Sequence, residues 1–276
     1  MREALPDSFD LATLDAALAG TIFAGKLHFS AFTGSTNADA LAAARSAAQH
    51  GSVYFTDEQR AGRGRGGHAW HSTAGDGLYV SVLLRPQFAA QRLPLLPLAA
   101  GLAAAEAVHA VAGLTIDLRW PNDLLIGERK TAGILVEAKS EISGVNYAVV
   151  GIGINVHQRE FALDLSTPAT SLDLEVGRTV ARQDVLVSLL KSLEHEALGL
   201  ADPAAGTAIP ARVAQASTWI SGRLVEVHGP QACVGTTDGL DEHGFLRVRT
   251  DAGLVIVQTG GIRSTCGGTE AFGSGE

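Results

Sequence analysis

Residues 59–70 read QRAGRGRGGHAW, and glycine at 62, 64, 66 and 67 strips this stretch of the side chains that stabilise a helix or strand. It is read as a loop, and its neighbours say where it sits. Residues 52–57 before it alternate as a strand, and residues 77–84 after it form a mostly apolar strand stopped by Pro86. The loop therefore joins two strands. Glycine lets backbone N–H groups turn toward a ligand, and the guanidinium forks of Arg63 and Arg65 suit phosphate or carboxylate oxygens. Trp70 adds a flat apolar ring able to stack on a purine or on either arginine. A solvated basic turn accounts for this loop equally well when it is taken alone.

The rest of the chain limits what the loop can serve. With 276 residues and 46% hydrophobic content, the chain can bury a sizeable core as one large domain or as a large and a small one. A formal net charge of -8 argues against a protein that coats nucleic acid, so anion recognition must be local. Cys233 and Cys266 lack metal-ligand spacing and are too few for a disulfide framework, which favours a reducing cytoplasm. The N-terminal MREALPDSFD has no signal-peptide core. The longest apolar stretch, residues 93–105, is interrupted by Pro94, Pro97 and Gly101, so no membrane span is expected. The short stretch ahead of the first strand reads as one helix capped by Asp7 or Ser8, with Phe9, Leu11, Leu14 and Leu18 on one face, and leaves no room for a helix-turn-helix.

Residues 26–32 alternate as a strand, after which Ser35, Thr36 and Asn37 offer capping chemistry for an alanine-rich helix ending near Gly51. A helix over 93–112 turns Leu95, Leu98, Leu102 and Val108 inward, and strands follow over 115–120, 124–126, 131–138 and 147–156. Further helices cover 183–200, with an apolar stripe of Leu186, Leu189, Leu190 and Leu193, and 208–216. Glu194-His195-Glu196 is read as the wet face of the first. Beyond Trp219, β-rich runs at 223–227, 232–238, 245–250 and 254–258 suggest a small β barrel. The expected division is 1–218 for the larger domain and 219–268 for the smaller, with 269–276 a disordered tail.

A second segment, RWPNDLLIGERKTAGILVE at 119–137, gathers polar groups at a strand junction. Pro121 ends one strand and Asn122-Asp123 begins the next. Lys130 follows the Gly127-Glu128-Arg129 turn, so a hairpin returns its ammonium toward the Asp123 carboxylate. A lysine entering a buried strand is rarely just solvated, although a hairpin-edge lysine that blunts aggregation explains this segment alone. Gly151-Ile152-Gly153 is half a dinucleotide fingerprint lacking the third glycine and the helix, and is read as a strand lying close to a ligand. His68 and His71 have no acidic or cysteine co-ligands, and no zinc site is expected there.

Taken together and in this order, Ser35-Thr36-Asn37, the 59–70 loop, the 119–137 block and Gly151-Ile152-Gly153-Ile154-Asn155-Val156 resemble the biotin-protein ligase family. The likeness covers roughly residues 29–156, and the β-rich end resembles the family's small C-terminal domain. It implies an α+β fold with a mixed, largely antiparallel central sheet flanked by helices, of the class II aminoacyl-tRNA synthetase type, with an SH3-like C-terminal β barrel. It also implies biotin and ATP as substrates, with Mg²⁺ expected. The biotin carboxylate attacks the α-phosphate to give biotinyl-5′-adenylate and pyrophosphate, and a lysine on the carboxyl carrier domain of a biotin-dependent carboxylase then takes the biotinyl group. In that scheme Lys130 is the central electrostatic catalyst, and with Arg63 and Arg65 it cancels the like charge of the reacting anions. Asp123 orients the acceptor lysine and helps it lose its proton, although a carboxylate ionised near neutrality is a weak base unless its pKa is raised.

By the same resemblance, Ser35, Thr36, Asn37, Gln59, Gly62, Gly64 and Gly133 line the biotin end together with Arg63, Arg65 and Lys130, where hydroxyls and amides satisfy the ureido ring. Arg65, His68, Trp70, Arg119, Asn122, Lys130 and Asn155 face the nucleotide, with Trp70 stacking on adenine. Gly66 and His68 stand where the family often carries further arginines, and Arg119 where it carries a lysine. That implies weaker retention of the adenylate and a release that quickens as histidine loses its proton. The loop glycines are then read as hinges that let Arg63, Arg65 and Trp70 fold over the intermediate. A lipoate or octanoate protein ligase is the alternative on the same scaffold. A biotin-dependent DNA-binding repressor is disfavoured by the net negative charge and the short N-terminal stretch, and a catalytically dead biotin-binding module by the presence of Lys130 and both arginines. Neither DNA nor membrane is an expected partner, and a homodimer is left open.

Overall fold

A computed structural model describes residues 8–141, 144–163 and 165–265. Asp7, Cys266 and the tail at 269–276 lie outside the described residues. The main sheet holds β1 (Leu27–Thr33), β2 (Ser52–Gln59), β3 (Gly77–Leu84), β4 (Asp117–Arg119), β5 (Asp123–Ile126), β6 (Arg129–Glu141) and β7 (Gly144–Asn155), in the order β1-β2-β3-β7-β6-β5-β4. Only β1 and β2 run parallel. Parallel neighbours need a crossover, and α2 (Thr36–Arg45) supplies it, whereas a tight turn at Gly127-Glu128 joins the antiparallel pair β5–β6. The α+β architecture with a mixed central sheet agrees with the sequence reading.

Alternation along β7 decides what each face of the sheet does. Val150, Ile152 and Ile154 point into the main core, beside the alanines of α3 (Leu96–Ala112). Val149 points the other way and packs on Ala40 and Ala44 of α2. Gly151 and Gly153 share that second face but bring no side chain, so the sheet is left bare there. A cleft results.

Helix α3 is preceded by a 3-10 turn, Ala90–Leu95, that accommodates Pro94. The stretch Ala90–Ala112 is long and apolar enough to cross a membrane by composition, yet Leu96, Ala99, Ala100, Ala103, Ala104 and Ala107 are fully buried in this fold. Small alanines let the helix lie close to the sheet, and α5 (Arg182–Gly199) covers it from outside with Leu186, Leu189, Leu190 and Leu193. Each such leucine contributes about 1.5–3 kcal/mol by leaving water.

Several expectations need correcting. The cap of α1 (Leu11–Ala17) is Asp10, whose carboxylate accepts from the Ala12 and Thr13 amides at 3.0 and 3.3 Å, rather than Ser8; Leu14 and Leu18 are buried but Leu11 is exposed. α2 stops at Arg45, well before Gly51, with Ala47 already at φ 63°. Strand 115–120 shrinks to β4, ahead of a cis Trp120–Pro121 bond. A short α4 (Leu172–Val176), capped by Ser171, was not foreseen. Glu196 is buried and takes a two-pronged ion pair from Arg212 of α6 (Pro203–Gln215), so it is no part of a wet face.

The C-terminal unit is an antiparallel sheet of β8 (Ser221–His228), β9 (Cys233–Leu240), β10 (Leu246–Thr250), β11 (Gly253–Val257) and β12 (Gly261–Ser264), ordered β11-β10-β9-β8-β12. Four strands were legible in the sequence; β12 is too short to announce itself and exists through pairing with β8. Trp219, Ile220, Val225, Val227, Leu246 and Val248 belong to the same continuous core as the main sheet. The Trp120 indole also donates to Gly244 O at 3.0 Å. The two units therefore share one core.

Candidate active site

The cleft over Gly151 and Gly153 opens to solvent and, with the solvent at its mouth, spans about 450 Å³. Of the residues selected from sequence, Ser35, Thr36, Asn37, Gln59, Arg63, Gly64, Arg65, Trp70, Asn122, Lys130 and Gly133 line it. Gly62, His68, Arg119, Asp123 and Asn155 do not. Leu135 supplies an apolar wall, while Val80, Ile134 and Ile152, whose side chains turn into the core, contribute backbone to its floor.

One end is polar. Ser35 occupies the cap position of α2 but makes no side-chain capping bond. The first helical amide, Thr36 N, is instead satisfied from β2 by Gln59 Oε1 at 2.9 Å, which also accepts from Thr36 Oγ1 at 3.1 Å. Ser81 Oγ lies 2.8 Å from Thr36 Oγ1 and 2.5 Å from Asn37 Oδ1. Asn37 Nδ2 donates to Leu135 O and to Glu137 Oε2, at 3.3 and 2.9 Å. A Cβ at Gly151 would overlap Asn37 Oδ1, so only glycine lets the amide lie flat on β7. Ser81 and Glu137 were missed. Ser81 did leave a signal, as a fully buried hydroxyl in the otherwise apolar strand GLYVSVLL; Glu137 left none beyond sharing a strand face with Gly133.

The other end is cationic. A bulge between Leu124 and Leu125 sets Lys130 opposite Leu125, diagonal to Asp123 on the same face. Lys130 Nζ then stands 2.5 Å from Asp123 Oδ1, while Arg119 Nη2 holds Asp123 Oδ2 at 2.6 Å. Burial alone would raise the Asp123 pKa, but the two cations outweigh it and hold the carboxyl below its ordinary range. So paired, it is a poor proton acceptor. Arg119 is itself buried and reaches Thr167 Oγ1 as well, so it faces Asp123 and not the cleft. The strand position of Lys130 is fixed from outside the hairpin by Lys130 N to Pro168 O and Thr170 N to Lys130 O, at 2.8 and 2.9 Å. Asn155 serves that same segment, donating to Thr170 O at 3.0 Å. Asn122 Nδ2 donates to Ile134 O at 2.8 Å.

The 59–70 segment is more ordered than its glycines suggest. Antiparallel bridges pair Gln59 with Ser72 and Arg63 with Ala69, Trp70 N donates to Gly62 O at 2.9 Å, and a 3-10 turn at Arg65–Gly67 forms the tip. This finger lays the Trp70 indole on the bare backbones of β6 and β7. A Cβ at Gly153 would come within 2.5 Å of Trp70 Nε1, and one at Gly133 within 3.0 Å of Trp70 Cζ3. Gly133, expected to admit the ureido ring, faces Trp70 here. The ring stacks on neither arginine; Lys130 Nζ is 5.4 Å from its centroid. Arg63 pairs with Glu137 at 3.0 Å. Arg65 reaches across to the C-terminal unit, donating to Thr259 Oγ1 at 2.9 Å and to Gly260 O. Gly66 and His68 are exposed at the tip.

Among the described residues no group of three His, Cys, Asp or Glu side chains gathers that could hold a metal, and the carboxylates beside the cleft, Asp123 and Glu137, are each already paired with cations. Residues 29–155 match the biotin/lipoate A/B protein ligase family. The chain is 40% identical over 162 residues to the bifunctional ligase/repressor BirA of Bacillus spizizenii, covering 58% of this chain and 50% of that one, and so spans about half the length of that relative. It is 36% identical over 237 residues to the biotin--[acetyl-CoA-carboxylase] ligase of Mycobacterium tuberculosis, covering 83% of this chain and 85% of that one. Its fold matches the biotin protein ligase from Aquifex aeolicus in complex with biotin and ATP, with a TM-score of 0.75, 29% identity, and coverage of 87% of this chain and 98% of that one. A cleft with an amide-lined end and a lysine end, on a sequence shared along most of its length with the Mycobacterium tuberculosis ligase and a fold shared with the Aquifex aeolicus one, places the chain in the biotin protein ligase family.

Proposed function

We propose that this protein joins biotin to ATP as biotinyl-5′-adenylate and then passes the biotinyl group to a lysine of a biotin carboxyl carrier domain. The observation that carries the reading is the cleft's two ends. Thr36, Asn37, Gln59 and Ser81 supply donors and acceptors in a buried setting, where a ureido ring can be matched without leaving polar atoms unpaired. Lys130 stands at the opposite end, where the carboxylate tail and a phosphate would meet.

In the first step a carboxylate oxygen bonds to the α-phosphorus and pyrophosphate leaves. The two reactants repel each other, and Lys130, with Arg63 and Arg65 released from their present partners, offsets that repulsion as negative charge gathers on phosphate oxygens. Asp123 keeps the Lys130 ammonium aimed. In the second step the acceptor amine bonds to the acyl carbon and AMP leaves, its proton passing to solvent or to the leaving phosphate, since Asp123 is held ionised by two cations. The residues at the cleft do not form a Mg²⁺ cage, so a Mg²⁺ ion would be carried on the phosphates of the nucleotide. Residues 1–218 would act as the catalytic unit and 219–268 as the small domain that touches the loop through Arg65.

The test is ATP–pyrophosphate exchange with biotin, lipoate or octanoate as the sole acid. Exchange is expected with biotin alone. Exchange with lipoate or octanoate but not biotin would overturn the substrate assignment.

A further inference from the structure

Hydrogen bonds run without a break from one side of the 59–70 finger, under the cleft, to its other side. Ser72 Oγ donates to Trp70 O at 3.2 Å and accepts from Gln59 Nε2 at 2.9 Å. Gln59 holds Thr36, and Ser81 joins Thr36 to Asn37. At the far end Asn37 Nδ2 and Arg63 Nη2 donate to the same oxygen, Glu137 Oε2, at 2.9 and 3.0 Å. The floor of the cleft and Arg63 of the finger thus meet on one carboxylate.

Glu137 lies on β6, on the face that carries Gly133 and Leu135 into the cleft. A negative charge there would repel anionic reactants, and Arg63 cancels it. The pair is part-exposed, with 46% of the Arg63 and 29% of the Glu137 side chain open to solvent. Such pairs are weak, and a phosphate offering two oxygens to the guanidinium is the stronger partner. Asn37, in contrast, gains a lasting orientation. With Nδ2 drawn to Glu137 and Leu135 O, its Oδ1 is turned to Ser81 and the cleft floor.

We infer that Glu137 is a positioning residue with two separable tasks: it holds Arg63 beside the cleft until a phosphate competes for it, and it sets the orientation of the Asn37 amide at the biotin end. The inference rests on the ligase reading above. Its consequence is that the charge of Glu137 bears on ATP, whereas its acceptor oxygen bears on biotin.

Two variants separate these. Glu137→Gln keeps an acceptor for Asn37 but removes the charge that competes for Arg63. Biotin Kd by calorimetry should stay within about twofold of the wild type, and the KM for ATP in pyrophosphate exchange should fall by about two- to fivefold, the value of a part-exposed ion pair. That fall should be smaller in an Arg63→Ala background, where only the repulsion is removed and no guanidinium is freed. Glu137→Ala removes the acceptor too, and biotin Kd should rise by about tenfold. A KM for ATP that is unchanged or higher in Glu137→Gln overturns the inference, as does a fall that is just as large in Arg63→Ala. If Glu137→Ala fails to fold, Glu137→Gln and its cycle with Arg63 still decide. Wild type that binds no biotin removes the ligase reading itself, whereas active wild type with silent Glu137 variants removes this inference alone.

Discussion

Replacing Lys130 by alanine should cost far more rate than stability, and the structure says why. Lys130 is 2.5 Å from Asp123, with 26% of the lysine and 18% of the aspartate side chain exposed. Removing one partner of a fully buried pair costs about 3–5 kcal/mol, because the other charge is left without compensation. Here Arg119 remains on Asp123 at 2.6 Å, so the loss should fall nearer to ~1 kcal/mol, in the range of part-exposed pairs. In the proposed reaction Arg63 and Arg65 share the charge but are held elsewhere, by Glu137 and by Thr259, so neither stands in for Lys130. Loss of one aimed electrostatic donor lowers kcat by about 10²–10³-fold, or ~2.7–4 kcal/mol. The assay is biotin-dependent ATP–pyrophosphate exchange beside urea denaturation of the same preparations. Exchange undiminished in Lys130→Ala, or a stability loss large enough to empty the folded state, would refute the reasoning. The acid side offers an independent reading. Because the folded Asp123 pKa is depressed, its stabilisation is complete above the ordinary carboxylate value and is lost as pH falls through the folded value. Lys130→Ala should move that loss to higher pH; an unchanged acid profile would show that Arg119 alone sets the pairing.

Three further outcomes follow from the geometry. Gly151→Ala should displace the Asn37 amide, since the added methyl overlaps Asn37 Oδ1, and biotin Kd should rise by more than about tenfold, one well-placed hydrogen bond or more; calorimetry giving wild-type affinity would refute it. Arg182→Leu should lower unfolding free energy by about 3–5 kcal/mol, because buried Arg182 neutralises Asp57 at 2.9 Å and also donates to Gly77 O; a denaturation midpoint within error of wild type would refute it. A fragment of residues 1–218 should fail to unfold cooperatively, since Trp219, Ile220 and the inner residues of β8 and β10 complete the main core; a cooperative calorimetric transition in that fragment would show that the core closes without them.

Much of the site was legible because it is local in the chain. The approach of Lys130 to Asp123 follows from a tight turn at Gly127, and a hairpin leaves little choice about which side chains return to one another. Ser35-Thr36-Asn37 reads as a helix start whatever lies across from it. What escaped was set by partners far along the sequence. Gln59, assigned to the biotin end by resemblance, satisfies the Thr36 amide at a helix start where Ser35, Thr36 and Asn37 were read as the capping residues. Asn155 and Arg119 bear the polar groups expected of nucleotide ligands, yet both are engaged in holding the Lys130 hairpin, through Thr170 and Asp123. Glu196 looked solvated until α6 brought Arg212 to it.

The sequence by itself determined the alternation that makes β7 a two-faced strand, the glycines that bare one of those faces, and the hairpin that carries Lys130 to Asp123. Each depends on a period or a turn within a few residues. Only the tertiary structure decided that Trp70 would lie on Gly133 and Gly153, that Arg63 would meet Glu137, and that Arg65 would be held by Thr259 and Gly260. Those contacts join elements whose register and packing depend on the whole core, and no pattern within a single strand or loop encodes which distant surface it will touch.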